Sequence, residues 1–238
     1  MNRDTIILNP LFRLVARFMR VAMRFIDPYG RVSYAQEGED LLLQRIFAGV
    51  KQGFYVDVGA HHPLRFSNTY LLYRRGWRGV NIDAMPGSMD SFGRLRPSDI
   101  NVESAVALED ARLTYFVFKE KALNTFDENL AEQYTKSGLA IVSRLEVRAR
   151  PLADLLSEHL PAGQSIDLLT VDVEGLDLDV LKSNDWQRFR PRVLIVEELR
   201  QSPRGGDASV RDYLIGLGYG EFARTYNSVF YVANGEHF

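Results

Sequence analysis

The 238-residue chain contains no cysteine. That excludes disulfides, thiolate metal sites and a thiol nucleophile, and it fits a reducing, cytoplasmic compartment. Histidine is scarce too: four residues, of which His61 and His62 are adjacent. No apolar run approaches the roughly 18 residues needed to span a bilayer. The formal net charge of −2 leaves no basic excess to make nucleic acid the main partner. What is present, 46% apolar and 25% charged residues, is ordinary for a globular domain.

The balanced total hides a basic end. Residues 1–32 hold six arginines against Asp4 and Asp27, so the remainder is acidic. In "LFRLVARFMRVAMRFI", Arg13, Arg17, Arg20 and Arg24 recur at spacings of three or four, one stripe of a helix, and Leu14, Val15, Phe18, Val21 and Phe25 fill much of the rest. The pattern predicts a basic amphipathic helix. Its role is to pack on the domain or on a second copy in a homodimer, or else to lie peripherally on the anionic inner face of a membrane. Arginines interrupt every apolar core, which argues against a cleaved signal peptide. Asp27-Pro28-Tyr29-Gly30 breaks the segment, giving units 1–32 and 33–238.

From Gly53 onward strands and helices alternate. "FYVDV", "GVNIDA", "INVESAVAL", "SIDLLTVDV" and "RVLIVEE" read as strands. Between them "SNTYLLYRRGW", capped by Ser67 or Asn68, "PGSMDSFGRL", with Pro86 at its first position, and "GLDLDVLKSNDW" read as helices, as does "ASVRDYLIGLGY" later. Single helices between strands imply right-handed crossovers and a doubly wound, mostly parallel α/β sheet. "EFARTYN" and "SVFYVAN" are separated by too little chain for a crossover, so they form an antiparallel hairpin. Residues 110–150, with the strands "ARLTYFVFKE" and "AIVSRLEVRAR", read as an insertion beside the sheet, where substrate walls commonly form.

Ligands of such sheets bind beyond the carboxyl ends of the strands. Those ends are acidic here: Asp57, Asp83, Glu103, Asp172 with Glu174, and Glu197 with Glu198. Asp83, at the end of the second strand, is placed to accept both hydroxyls of an adenosine ribose. A dinucleotide would need several glycines after the first strand to bring backbone against pyrophosphate. "GAHHPLRFSN" puts side chains there instead. An adenosine cofactor without phosphate has no such need, and the sulfonium of S-adenosyl-L-methionine suits acidic surroundings.

The segments "SYAQEGEDLLL", "FYVDVGAHHPLRFSNTYLLYRRGWRGVNIDAMPGSM", "ALNTFDE", "IDLLTVDVEGLDLDVL" and "VLIVEE" resemble the FkbM family of S-adenosylmethionine-dependent methyltransferases, from about Ser33 to Ala233. The resemblance implies a class I methyltransferase (Rossmann-like) fold of seven strands with the last antiparallel. It further implies O-methylation of a sugar, glycan or related biosynthetic product, leaving S-adenosyl-L-homocysteine. By position it assigns Asp57, Gly59 and Ala60 to the cofactor, Asp83 to the ribose, and Ser104 and Ala105 to the adenine. Gln36, Ser67 and Asn68 go to the methionine end. His61, Ala84, Met85 and Asp172 complete the expected cofactor set. Arg65, Asn124 and Thr125 are the expected acceptor contacts.

Transfer to an alcohol needs a proton acceptor. The candidates are His62, Glu174 and Asp172, on loops that flank the crevice. A divalent metal held by Asp172, Glu174 and His62 is the less favoured route, because spacing alone does not supply three ligands. Two other functions fit the pattern less well: a nicotinamide-dependent sugar oxidoreductase, which lacks its glycines, and a non-catalytic adapter keeping the fold.

Overall fold

The computed structural model describes Val15, Met19 and residues 29–173, 175–198 and 206–236. Most of the predicted amphipathic helix, and Glu174, therefore lie outside the described residues. The chain divides into two compact units, Met1–Ser33 and Tyr34–Phe238. No helix among the described residues is long and apolar enough to cross a membrane.

The second unit is built on a seven-stranded sheet. In chain order its strands are β1 (Phe54–Val58), β2 (Arg78–Asp83), β3 (Ile100–Glu103), β7 (Leu168–Val171), β8 (Val193–Glu197), β9 (Tyr219–Arg224) and β10 (Ser228–Ala233). They lie side by side in the order β3-β2-β1-β7-β8-β10-β9. All neighbouring pairs are parallel except those of β10, which runs antiparallel to β8 and β9. The expected doubly wound sheet with a terminal hairpin is the observed one. The strand order reverses between β1 and β7, the place where such sheets open for ligands.

The central strands are buried along almost their whole length. Helices cover both faces, which explains why "FYVDV" and "VLIVE" read as unbroken apolar runs rather than alternating ones. Val56, Val58, Ile82, Leu169, Val171 and Leu194 belong to one core layer. Tyr55, Leu72, Trp77, Leu168 and Ile195, with Leu43 and Phe47 of helix α1 (Glu39–Ile46), form the layer on the opposite face.

Several boundaries differ from expectation. Helix α2 spans Tyr70–Arg74, with Thr69 rather than Ser67 or Asn68 at its N-cap, although the Ser67 Oγ accepts from the Tyr70 N–H at 3.1 Å. Helix α3 spans Met89–Leu95, leaving Pro86 in the turn before it. "INVESAVAL" is not one strand. It bends at Ser104, so that β4 (Ala105–Val106) leaves the main sheet and joins β5 (Ala111–Phe118) and β6 (Ile141–Arg150) in a small sheet of order β4-β6-β5. Helix α4 (Glu128–Lys136), capped by Asp127, follows a short turn over Lys121–Leu123 within this insertion. A helix unanticipated from the sequence, α5 (Leu152–His159), packs Leu152, Leu155 and Leu156 into the core. Helices α6 (Asp177–Lys182) and α7 (Gly206–Gly216) complete the unit.

Candidate functional site

The carboxyl ends of β1, β2, β7 and β8 open on a cavity of about 270 Å³. Gly59, His61, Asp83, Ala84, Asp172 and Glu197 line it from the main sheet, and Ser104 and Ala105 from the β3–β4 bend. A smaller void of about 20 Å³ shares Gln36, Asp172 and Glu197 with it and adds Glu37, Glu39 and Asn68.

The loop after β1 is shaped by contacts within the protein. Gly59 has φ +80°, and a Cβ there would sit 1.7 Å from the Asp172 carbonyl oxygen. The glycine is thus required by the crossing of two backbones at the switch point, not by a ligand's approach. His61 also lies in the left-handed region, at φ +53°, a strained conformation for a residue with a side chain. Its N–H donates to Asp83 Oδ2 at 2.9 Å, while Asp83 Oδ1 accepts from the Met85 N–H at 2.9 Å. Asp83 therefore ties the first and second loops together as well as facing the cavity.

The two histidines separate. His61 lines the cavity, and its ring stacks on Phe66 with centroids 6.3 Å apart. His62 does not line it. Its Nδ1 accepts from the backbone N–H groups of Leu64 and Arg65 at 3.1 and 3.0 Å. A neutral imidazole bonded in that way carries its proton on Nε2 and has its basic nitrogen occupied. The expectation of His62 as base is corrected on that ground: it closes the turn.

Asp57, Ser67 and Ala60 lie beneath the cavity rather than on its wall. Asp57 is buried and accepts from Thr69 Oγ1 at 2.6 Å. Burial pushes its carboxyl up to about 6, with the Arg96 charge pulling the other way. Arg96 is fully buried and unheralded in the sequence. It donates to Asp99 (2.9 Å), Tyr55 Oη (2.7 Å), Thr69 Oγ1 (2.9 Å) and Ser67 Oγ (3.4 Å). Burial opposes its charge, yet Tyr55, Asp99 and Asp57 outweigh that and hold the guanidinium above its usual range. This network fixes the floor of the site from β1, α2 and the end of α3.

Asp172 faces both cavities. Burial, then the nearby Asp177, push its carboxyl up to about 7, and a hydrogen bond with Glu197 works against them. Asp177 is itself pushed up to about 6 by burial, against backbone N–H groups of Val173 and Gly175 that it accepts. Among the described residues no three His, Cys, Asp or Glu side chains come together as a metal-ligand group.

The insertion supplies the remaining wall: Tyr115, Leu123, Asn124, Phe126 and Tyr134. Tyr115 and Phe126 stack with centroids 4.4 Å apart. Asn124 does face the cavity, with its Oδ1 taking the Phe118 N–H at 2.9 Å. Thr125 is instead buried in the insertion, its hydroxyl accepting from the Asp127 N–H. Arg65 is half-exposed and does not line the cavity: it pairs with Glu120 at 3.1 Å, and its guanidinium lies over the ring of Phe66, a lining residue. Met85 does not line the cavity but touches two residues that do: its N–H donates to Asp83 Oδ1, and its sulfur lies 3.9 Å from Asn124 Nδ2. Sequence reasoning passed over Phe66, Phe126, Tyr134 and Asn227 as lining residues. The sole signal for Phe126 was its place in "ALNTFDE".

The methyltransferase FkbM domain family matches residues 57–221, more than half of the chain. Among solved structures, the TehB-like SAM-dependent methyltransferase from Corynebacterium glutamicum ATCC 13032 Kitasato is similar at 12% identity. That match covers 92% of this chain and 99% of that one, with a TM-score of 0.40. No curated protein matches the chain.

Proposed function

Because the chain belongs to the FkbM methyltransferase family, we propose that it transfers a methyl group from S-adenosyl-L-methionine to a hydroxyl of a sugar, glycan or related biosynthetic product. One observation carries the choice of cofactor. The cavity at the strand ends is lined by Asp83, Asp172 and Glu197, with no lysine or arginine among its described lining residues. Such a wall suits a ligand bearing a sulfonium and an ammonium, and it opposes a pyrophosphate. The residues present fit the group: Asp83 toward the ribose, Ala84, Ser104 and Ala105 toward the adenine, and Gln36 and Asn68 toward the methionine end.

When bound, S-adenosylmethionine supplies an electrophilic methyl. The protein's part is to hold the acceptor hydroxyl in line and to take its proton. Asp172, in the cavity and with its carboxyl near neutral, suits that work better than His62, whose nitrogen is engaged. The stacked Tyr115 and Phe126 offer a flat apolar face of the kind on which sugar rings pack.

Incubation with labelled S-adenosylmethionine and a panel of methyl glycosides and isolated glycans tests the activity. Label should enter at least one acceptor in an alkali-stable linkage, as an ether requires. Transfer only to carboxyl or amino acceptors would overturn the hydroxyl assignment. Binding of the cofactor without transfer to any acceptor class would favour the adapter reading.

A further inference from the structure

Among the described residues two that are not glycine have a positive φ: His61 at +53° and Phe66 at +57°. Both stand in the loop after β1, and both line the main cavity. That conformation is costly for a residue with a side chain and persists only where the surroundings hold it. Here they do. The His61 N–H is held by Asp83 at 2.9 Å, and the His62 ring takes the Leu64 and Arg65 N–H groups. The Ser67 N–H donates to the Tyr34 carbonyl at 3.1 Å.

Burial does not account for the strain, because Phe66 keeps 38% of its surface exposed. What the loop achieves is to present a ring where the two cavities meet, since Phe66 lines both. The Arg65 guanidinium lies over that ring, 4.2 Å from its centroid, and is braced by Glu120 of the insertion at 3.1 Å. His61 is offset, with centroids 6.3 Å apart and planes at 21°. One face is thus backed by a cation, and the ring still meets open space.

We infer that Phe66 is a specificity-determining contact for the acceptor: its ring is a platform for the apolar C–H face of a sugar ring, beside the methyl to be transferred. The inference rests on the methyltransferase reading above. The place of Phe66 follows from its neighbours in the chain. His61 bonds Asp83, on the ribose side, and Asn68 lines the small void at the methionine end. The sulfur of the cofactor joins those two ends, so the loop carries Phe66 past the methyl.

Two partners could use the ring there, the sulfonium and the acceptor. The guanidinium already engages the ring's negative quadrupole and sets a positive charge behind it. That makes the remaining face a poor site for a second cation. A neutral surface of C–H groups meets no such repulsion. Tyr115 and Phe126 line the same cavity from the insertion, so the acceptor meets aromatic surface from two separate elements.

The test is steady-state kinetics of the full-length protein with S-adenosylmethionine and the best methyl glycoside of the panel above. Wild type, Phe66→Ala, Phe66→Leu and Phe66→Tyr are compared, with cofactor Kd measured by calorimetry on the same samples. Phe66→Ala should raise KM for the glycoside by about tenfold or more, as loss of a ring-sized apolar contact requires. Its kcat should stay within about threefold, the pattern of binding lost equally from ground and transition states. Cofactor Kd should also stay within about threefold. Phe66→Tyr, which keeps the ring, should match wild type, and Phe66→Leu, which keeps bulk without a flat face, should fall between.

An unchanged KM in Phe66→Ala, or a Phe66→Leu as good as wild type, would overturn the inference. So would a rise in cofactor Kd that matches the rise in KM, which places the ring on the cofactor, or a Phe66→Tyr as poor as Phe66→Ala. A wild type that binds S-adenosylmethionine yet methylates no glycoside sinks the hydroxyl-acceptor reading and this inference with it. An active wild type with an indifferent Phe66→Ala sinks only the platform.

Discussion

Arg96→Met should be among the most damaging single substitutions in the protein. The guanidinium is fully buried and bonded to Asp99, Tyr55, Thr69 and Ser67. Methionine fills much of the volume but leaves the buried Asp99, 2.9 Å from the lost nitrogen, without its counter-charge. Breaking one side of a buried pair costs about 3–5 kcal/mol, which for a chain of this size lowers Tm by roughly 6–20 °C. Asp99 keeps bonds from the Gly79 N–H, Asn81 and Tyr55, so the lower half of that range is expected. Urea unfolding of wild type, Arg96→Met, Asp99→Asn and the double variant gives the coupling directly. The double variant should lose less than the sum of the singles by at least about 1 kcal/mol. Additive losses, or a loss under about 1 kcal/mol for Arg96→Met, would refute the claim that this network carries the floor of the site.

Gly59→Ala must shift one of two crossing backbones to relieve a 1.7 Å approach and must also hold a left-handed φ, worth about 1–2 kcal/mol alone; it should abolish cofactor binding in calorimetry and lower Tm. Asp83→Ala removes the acceptor for the His61 and Met85 N–H groups, and should weaken S-adenosylmethionine by about 10–100-fold, with the loop after β1 exchanging amide hydrogens faster. Asp57, Asp172 and Asp177 are all pushed up in the folded state, so between pH ~4 and ~7 the native protein binds more protons than the unfolded chain. Stability is therefore greatest on the acid side of that window and is lost as pH rises through it. Urea midpoints without ligand should fall from pH 5 to pH 8, and a rise would show that other groups dominate.

The sequence made the sheet legible because its signals are local. Buried parallel strands read as β-branched runs, and the short link between Arg224 and Ser228 left no room for anything but a hairpin. The bend at Ser104 was not legible. The run from Ile100 to Val106 is continuous in pattern; the Ser104 N–H still bonds the Asp83 carbonyl as a last rung of the main sheet, and pairing of Ala105 and Val106 with distant β6 draws the chain into the second sheet. Site residues at strand ends, such as Asp83 and Asp172, follow from topology. The difference between His61 and His62 does not, because it depends on one positive φ and a turn that engages the second ring. Arg96 in "GRLRPSD" has the look of a solvated arginine, and its burial is decided by partners 27 to 41 residues away.

Calorimetric titration with S-adenosylmethionine, S-adenosylhomocysteine and NADH tests the central claim most directly. Both adenosyl ligands should bind one to one in the micromolar range, more weakly in Asp83→Ala, and NADH should give no heat. Binding of NADH in preference to S-adenosylmethionine would contradict the account.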